Sequence, residues 1–212
     1  KLRPFAKEDV MRFYGRYFAS AGVLAGMLCL PLVLRAQQSA TPPGATQEKA
    51  APVANPVTTV IKGQLPRYAK NMVAAAEAMP PDKYGFKPSP EMNSFGHLVM
   101  HIVESNNLFC SKISGAAAPE AKLAETDGKE KLVSALQSSF EVCSTALAKV
   151  DDSNLGESMP LFGNRPATRA AALIALSDSW NDHYGAQAIY LRLNGILPPT
   201  AQPAKKDDKK KD

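Results

Sequence analysis

The sequence lacks the motifs on which several large enzyme classes depend, and it has few residues suited to catalysis. Its 212 residues include only three histidines, three cysteines and one tryptophan. It contains no G-x-S-x-G, no Walker A loop, no G-x-G-x-x-G fingerprint and no H-E-x-x-H. These absences argue against an α/β-hydrolase, a P-loop nucleotide hydrolase, a dinucleotide-binding enzyme and a zincin peptidase.

Two structural signatures are also missing. No segment alternates apolar and polar residues over the length of a half-buried strand, and no repeat of solenoid length is present. The remaining pattern is helical, so an all-α fold is predicted.

Strong charge is absent from the central part of the chain. The formal net charge is +5, but residues 1–36 carry +4 and residues 205–212 carry +2, which leaves −1 for residues 37–204. A nucleic-acid surface requires basic residues clustered on the folded domain. No nucleic-acid partner is therefore predicted.

The first 36 residues have the organisation of a secretory leader. Arg12 and Arg16 precede an uncharged apolar run over residues 18–34, and Ala36 closes a candidate cleavage site. We interpret residues 1–10 as an upstream extension and the rest as a signal peptide, which predicts export to the periplasm or the medium. A transmembrane anchor is the alternative, although Pro31 interrupts a run of marginal length. After cleavage no stable membrane span is expected.

Composition divides the rest of the chain into three parts. Residues 37–56 are rich in Ala, Pro, Gln and Thr and have little apolar bulk, so they are predicted to be a disordered spacer. Residues 57–199 form the predicted domain, and residues 200–212 form a disordered charged tail.

Four segments of the domain repeat apolar residues at spacings of three and four, as amphipathic helices do. They cover residues 57–79, 92–113, 127–149 and 167–194. Pro66 should bend the first helix or mark its true start, Ser94 is a plausible N-cap and Gly195 should end the last helix. Together they predict a four-helix bundle, and connections of ten to sixteen residues leave its up-and-down order open.

The cysteines are consistent with export. Cys29 leaves with the leader, and Cys110 and Cys143 lie in the second and third predicted helices. A disulfide between them is predicted because an exported chain enters an oxidising compartment. Two buried free thiols are the alternative.

The three histidines are the main candidates for chemistry. His97 and His101 are four residues apart and share a helix face, and His183 lies on the apolar seam of the fourth helix. Helix bundles build metal sites from side chains on facing helices, and imidazole binds Zn, Ni and Fe. Ordinary roles, one histidine exposed and another hydrogen-bonded in the core, are the alternative.

Two stretches resemble the DinB family. They are SFGHLVMHIVESNNLFCSKISG (94–115) and ALSDSWNDHYGAQAIYLRLNGILPP (175–199), and AAAEAMPPDKYGFKPSPEMNSFGHLVMHI (74–102) resembles the family's first loop and second helix. The resemblance implies a four-helix bundle with a mononuclear metal site, usually of three histidines.

Carried onto this sequence, the resemblance implies that His101 and His183 are metal ligands. His183 matches the second histidine of the family's H-x-x-x-H, and Ser179 stands where the first would be. The third ligand stays open between Glu104, which can share a face with His101, and the position of Ser179. Asp178 and Asp182 are expected to face elsewhere, and His97 matches no ligand position.

The resemblance also implies two functions. One is a metal-dependent hydrolase or transferase of unknown substrate that uses a divalent Zn, Ni or Fe ion. The alternative is a non-catalytic binding or structural bundle of the cell envelope with a degenerate metal site. Candidate partners are a small-molecule substrate and a second copy of the chain.

Overall fold

A computed structural model describes residues 52–120, 122–162 and 165–203. These residues form four α-helices and two short β-strands, and the predicted all-α four-helix bundle is confirmed. The elements in chain order are α1 (Pro56–Ala78), α2 (Phe95–Ser114), α3 (Lys129–Ala148), β1 (Ser158–Pro160), β2 (Pro166–Thr168) and α4 (Arg169–Leu193). The predicted leader, most of the predicted spacer and most of the charged tail lie outside the described residues.

The connection between α3 and α4 differs from the predicted loop. It contains β1 and β2, which pair antiparallel with Ser158 opposite Thr168. Three residues a strand are too few for an alternating pattern to be visible in the sequence. The hairpin ends at Thr168, whose side chain accepts the Ala171 N–H and caps α4.

Local signals at the other helix ends act as predicted. Ser94 Oγ accepts the His97 N–H and caps α2. Gly115 and Gly195 have φ of 72° and 73°, a conformation that glycine adopts without steric cost, and they end α2 and α4. Pro66 neither starts nor ends α1, which runs through it from Pro56.

The N-terminus of α1 is capped by a residue far away in the chain. The Asp152 carboxylate accepts the N–H groups of Val57 at 3.0 Å and Thr58 at 2.8 Å, and Asn55 Oδ1 accepts the Asp152 N–H. A carboxylate at this end also interacts favourably with the helix dipole. This reciprocal contact ties the α3–α4 connection to the start of the bundle.

Contacts between the helices give their directions. Asn106 of α2 bonds Ser139 of α3, and one turn further along both helices Cys110 is bridged to Cys143. Helices α2 and α3 are therefore parallel. In α1 and α4, Gln64 contacts Ser177 and Tyr68 contacts Asn181, so these two helices are also parallel. Helices α2 and α4 are antiparallel, because His101 faces His183 and Ile113 contacts Arg169. The bundle is therefore up-down-down-up.

A buried polar chain sets the register of three helices. Trp180 Nε1 of α4 donates to Asn106 Oδ1 of α2 at 2.8 Å, and Asn106 Nδ2 donates to Ser139 Oγ of α3 at 2.9 Å. Trp180 and Asn106 are almost fully buried. A buried amide left without partners is costly, so this chain favours one alignment of the helices.

The predicted disulfide between Cys110 and Cys143 is present in the structure. It joins α2 to α3 across a Cα–Cα distance of 5.0 Å, and both residues are fully buried.

Among the described helices, none combines the length and apolar character needed to cross a bilayer.

Candidate functional site

A groove between α2 and α4 contains two of the three histidines. Its volume is about 710 Å³. The side chains along it, here called the histidine groove, are His101, Glu104, Ser105, Leu108, Phe109, Phe162, Ala175, Asp178, Ser179, Asp182 and His183. The antiparallel helices place the histidines at one end and the aromatic residues at the other.

His101 and His183 come together from facing helices. Their ring centres are 5.0 Å apart and the rings are nearly perpendicular. Two imidazoles bound to one tetrahedral ion at about 2.1 Å place their ring centres about 5 Å apart. The separation of the two ring centres therefore matches that of two imidazole ligands of one ion.

Ser179 lies one turn before His183 on α4 and contacts its ring. Ser179 Oγ is 3.1 Å from His183 Nδ1, and the tautomer of the ring decides which of the two donates. When Nδ1 carries the proton it donates to Ser179 Oγ, and the lone pair of Nε2 is then available to a ligand or metal.

The environment of His183 favours its neutral form. Burial, and after it the neighbouring His101, lowers the pKa of His183 below its ordinary value, and Asp182 acts in the opposite direction. Neutral imidazole is the form that binds metal.

The two candidates for a third ligand, Glu104 and Ser179, lie on different helices beside the histidine pair. Glu104 is exposed and lines the histidine groove one turn along α2 from His101. Ser179 Oγ already contacts His183 Nδ1. In the arrangement of the described residues, no three His, Cys, Asp or Glu side chains converge as a metal-binding set. The metal-binding side chains that the structure brings closest together here are thus the two imidazoles of His101 and His183.

His97 does not line the histidine groove. Its Nδ1 is 3.3 Å from Glu125 Oε2, which also accepts the Ser94 hydroxyl at 3.0 Å. The ring stacks on His101 with centres 6.4 Å apart. His97 therefore links the loop between α2 and α3 to the start of α2. It lies outside the groove, as the resemblance implies, since His97 matches no ligand position of the family.

Sequence reasoning placed Asp178 and Asp182 on another face, and the structure differs. Both are exposed and line the histidine groove on either side of Ser179. The groove is wide enough to include side chains that a helical wheel separates from Ser179 and His183 by about 60° to 140°.

The sequence did not predict the apolar end of the groove, which Leu108, Phe109 and Phe162 form. Phe162 comes from the β1–β2 connection and packs edge-on against Phe109 of α2, with ring centres 5.3 Å apart. No periodic pattern marks a residue in a short turn, so only the fold brings Phe162 to the site.

Comparisons of the sequence and of the structure with known proteins agree on one family. The sequence model of the DinB superfamily matches residues 64–185. The crystal structure of a DinB-like protein from Bacillus subtilis is 24% identical, with a TM-score of 0.56 over 68% of this chain and 98% of that one. A DinB-like protein from Bacillus cereus ATCC 10987 is 15% identical, with a TM-score of 0.56 over 66% of this chain and 93% of that one.

A third solved structure, of a conserved protein from Enterococcus faecalis, is 18% identical. Its TM-score is 0.50 over 63% of this chain and 94% of that one. At these identities the structures establish a shared fold. No curated protein matches the chain.

Proposed function

The chain belongs to the DinB superfamily, and from this premise we propose that it is an exported metal-dependent hydrolase or transferase. The ion is divalent, Zn, Ni or Fe, and is held by His101 and His183. The observation that carries the proposal is the convergence of these two imidazoles, with ring centres 5.0 Å apart, at one end of the histidine groove.

Glu104 is the third ligand in this proposal. A carboxylate is an ordinary zinc ligand. Glu104 lines the same groove as the histidines, and its side chain is exposed and long enough to change rotamer. Ser179 is less suited because its hydroxyl is engaged with His183 Nδ1. We assign Ser179 the role of orienting the His183 ring.

The residues of the chain then have separate tasks. In the proposed site Ser179 Oγ accepts a hydrogen bond from His183 Nδ1–H, which leaves Nε2 for the ion, and burial lowers the pKa of His183. The ion, when bound, lowers the pKa of a water or thiol and supplies a nucleophile near neutral pH. Open positions remain for that nucleophile and for a substrate, because the chain supplies at most three ligands.

Two features support the exported part of the proposal. The sequence of residues 11–36 has the order of a signal peptide, with basic residues, an apolar run and a small residue at Ala36. The buried Cys110–Cys143 disulfide is typical of proteins that fold in an oxidising compartment. Expression of the full sequence followed by periplasmic fractionation and intact mass measurement tests it, and a protein retained in the cytoplasm with its leader would contradict it.

Metal content of the purified protein tests the rest. We expect roughly one equivalent of a divalent metal in the wild-type chain and a large loss in His183→Ala. His97→Ala is the matched control, since His97 lies outside the histidine groove, and it should keep its metal. Equal metal in His183→Ala and the wild type would place the ion elsewhere.

A second candidate function rests on the donor set. Three metal-binding side chains do not converge among the described residues, and Ser179 occupies the expected position of a histidine. A non-catalytic envelope bundle that binds a ligand without metal accounts for this arrangement. It predicts no metal after purification and no change in melting temperature when a chelator is added.

A further inference from the structure

The histidine groove has a strong charge bias, of which the proposed metal site uses one carboxylate. Three carboxylates line it, Glu104, Asp178 and Asp182, and no lysine or arginine does. Within the described part of the chain, none of the three forms an ion pair or a hydrogen bond through its carboxylate. If Glu104 is committed to the ion, Asp178 and Asp182 are still available, one turn apart on α4.

The other end of the groove is apolar and open. Phe162 is 48% exposed and Leu108 is 38% exposed, although both belong to a concave surface. Phe109 supports Phe162 edge-on from below. Exposed aromatic and aliphatic side chains in a concavity are typical of a site that an apolar group covers.

The Ser105 side chain places a hydroxyl between the two ends. Ser105 is 9% exposed and lines the groove one turn after His101. Among the described residues its Oγ has no hydrogen-bond partner, whereas Ser114 on the same helix bonds back to the Cys110 carbonyl. Among the described residues, Ser105 Oγ is not one of the fully buried polar atoms that lack a partner, so it is accessible from the groove and can bond a ligand there.

From these three observations we infer that the histidine groove binds an organic cation with an aromatic or aliphatic body. The positively charged group, an ammonium, lies beside Asp178 and Asp182 and within reach of Ser105. The apolar body lies against Leu108 and Phe162. The inference rests on the proposed function for its site, the histidine groove, and it adds the chemical class of the substrate.

The dimensions of the groove set the length of that ligand. The antiparallel helices order Asp182, Asp178 and Ala175 on α4 beside His101, Glu104 and Leu108 on α2. Seven residues of helix span about 10 Å. A phenyl ring joined to an ammonium through four methylene groups has about that length, so 4-phenylbutylammonium is a suitable probe.

Binding of this probe to the full chain, with its metal removed by a chelator, is the first experiment. Three compounds are compared by calorimetry: 4-phenylbutylammonium, the anion 4-phenylbutyrate and butylammonium, which lacks the ring. We expect the aromatic ammonium to bind at least about tenfold more tightly than either of the other two, since one loses the charge attraction and the other the apolar burial. Equal or tighter binding of 4-phenylbutyrate, or no binding of the ammonium, would overturn the inference.

Variants locate the binding. Asp178→Asn with Asp182→Asn should weaken the ammonium severalfold, and Phe162→Ala should also weaken it severalfold. Glu141→Gln on α3 and Ile189→Ala on α4 are matched controls, being an exposed carboxylate and an exposed apolar residue outside the groove. If the control variants weaken binding as much as the groove variants, the cation binds elsewhere and the inference is wrong.

The two proposals fail in different measurements. Metal content tests the metal proposal alone, because the amine titration is carried out without metal. A chain that contains no metal but prefers the aromatic ammonium would retain the cation site and lose the metal-dependent reaction.

Discussion

Ser179 Oγ lies 3.1 Å from His183 Nδ1, and Ser179 stands where the resemblance to the DinB family implies a histidine. The serine therefore contacts His183, one of the two ligands of the proposed metal site. A hydroxyl at this place can hold the ring of His183 in one orientation and one tautomer. In the metal proposal, Ser179 is thus a positioning residue for His183.

Ser179 gives the sharpest test of the metal proposal. Ser179→Ala removes the partner of Nδ1, and we expect metal affinity to fall by about tenfold. Ser179→His places an imidazole one turn before His183 on the same face, and we expect metal affinity to rise above that of the wild type. Competition with a chromophoric chelator measures both.

A third variant, at Ser177, is the control for both. Ser177→Ala changes a serine that bonds Gln64, on the α1 side of the helix, and should leave metal affinity unchanged. An unchanged affinity in Ser179→His would mean that His101 and His183 do not hold the ion.

The sequence predicted the four helices, and it also predicted that His101 and His183 lie together. The physical reasons can be named. Four helices were predictable because each is long enough to show its apolar period, and Ser94 and Gly195 mark ends through local chemistry. The meeting of His101 and His183 in one groove agrees with the family resemblance, and their role as metal ligands stays a prediction. The direction of the helices was not predictable, because long connections allow either order.

The features that were missed depend on contacts between distant residues. Asp152 caps α1 although 94 and 95 residues separate it from the N–H groups that it accepts. Phe162 completes the histidine groove from a turn between two strands of three residues. Neither has a local pattern, and each becomes visible only when the bundle is assembled.

Gly96 is the glycine that the packing of α2 requires. A Cβ built there would lie 2.4 Å from the carbonyl oxygen of Glu125, which belongs to the backbone of the α2–α3 connection. Gly96→Ala must therefore displace that connection, and we expect a loss of about 1–3 kcal/mol in the free energy of unfolding. Urea denaturation followed by circular dichroism measures it.

Gly63 of α1 is the matched control for Gly96. It is also helical, but a Cβ there meets no atom within 4 Å. Gly63→Ala should stabilise the protein by roughly 0.5–1 kcal/mol, because alanine loses less backbone entropy in a helix. Similar effects of the two substitutions would show that the contact with Glu125 is not limiting.

Tyr84 should make the protein sensitive to alkaline pH. Its hydroxyl donates to the Ala76 carbonyl at 2.8 Å. Burial first, then the charges of Glu130 and Glu77, raise the pKa of Tyr84 above its ordinary value. Because the folded-state pKa is the higher one, its stabilising contribution is complete below about pH 10 and is lost as pH rises further.

Denaturation at increasing alkaline pH tests this prediction. The wild type should lose stability above about pH 10, and Tyr84→Phe should lose less over the same range, after a cost of about 1 kcal/mol at neutral pH for the missing hydrogen bond. Tyr184→Phe is the control, since its hydroxyl contacts Thr200 at the exposed end of the bundle. Parallel pH curves for Tyr84→Phe and the wild type would contradict the assignment.

The Cys110–Cys143 disulfide should contribute much of the stability of the bundle. It connects α2 and α3 across a sequence separation of 33 residues, and it lies in the core next to the groove residue Phe109. In the chain-entropy account a loop of this length restricts the unfolded state by about 3–4 kcal/mol. The double variant Cys110→Ala with Cys143→Ala should lose about that amount, less if the small side chains repack.

Treatment with a reductant distinguishes the stability that the disulfide bond contributes from the stability that the packing of the two side chains contributes. Both sulfur atoms are buried, so a thiol reductant should act on the unfolded chain and lower the urea midpoint of the wild type. The same reductant should leave the midpoint of the double alanine variant unchanged, since no cross-link is present. If the wild type is equally stable with and without reductant, the bridge does not limit unfolding, and the case for an oxidising compartment would then depend on the leader sequence alone.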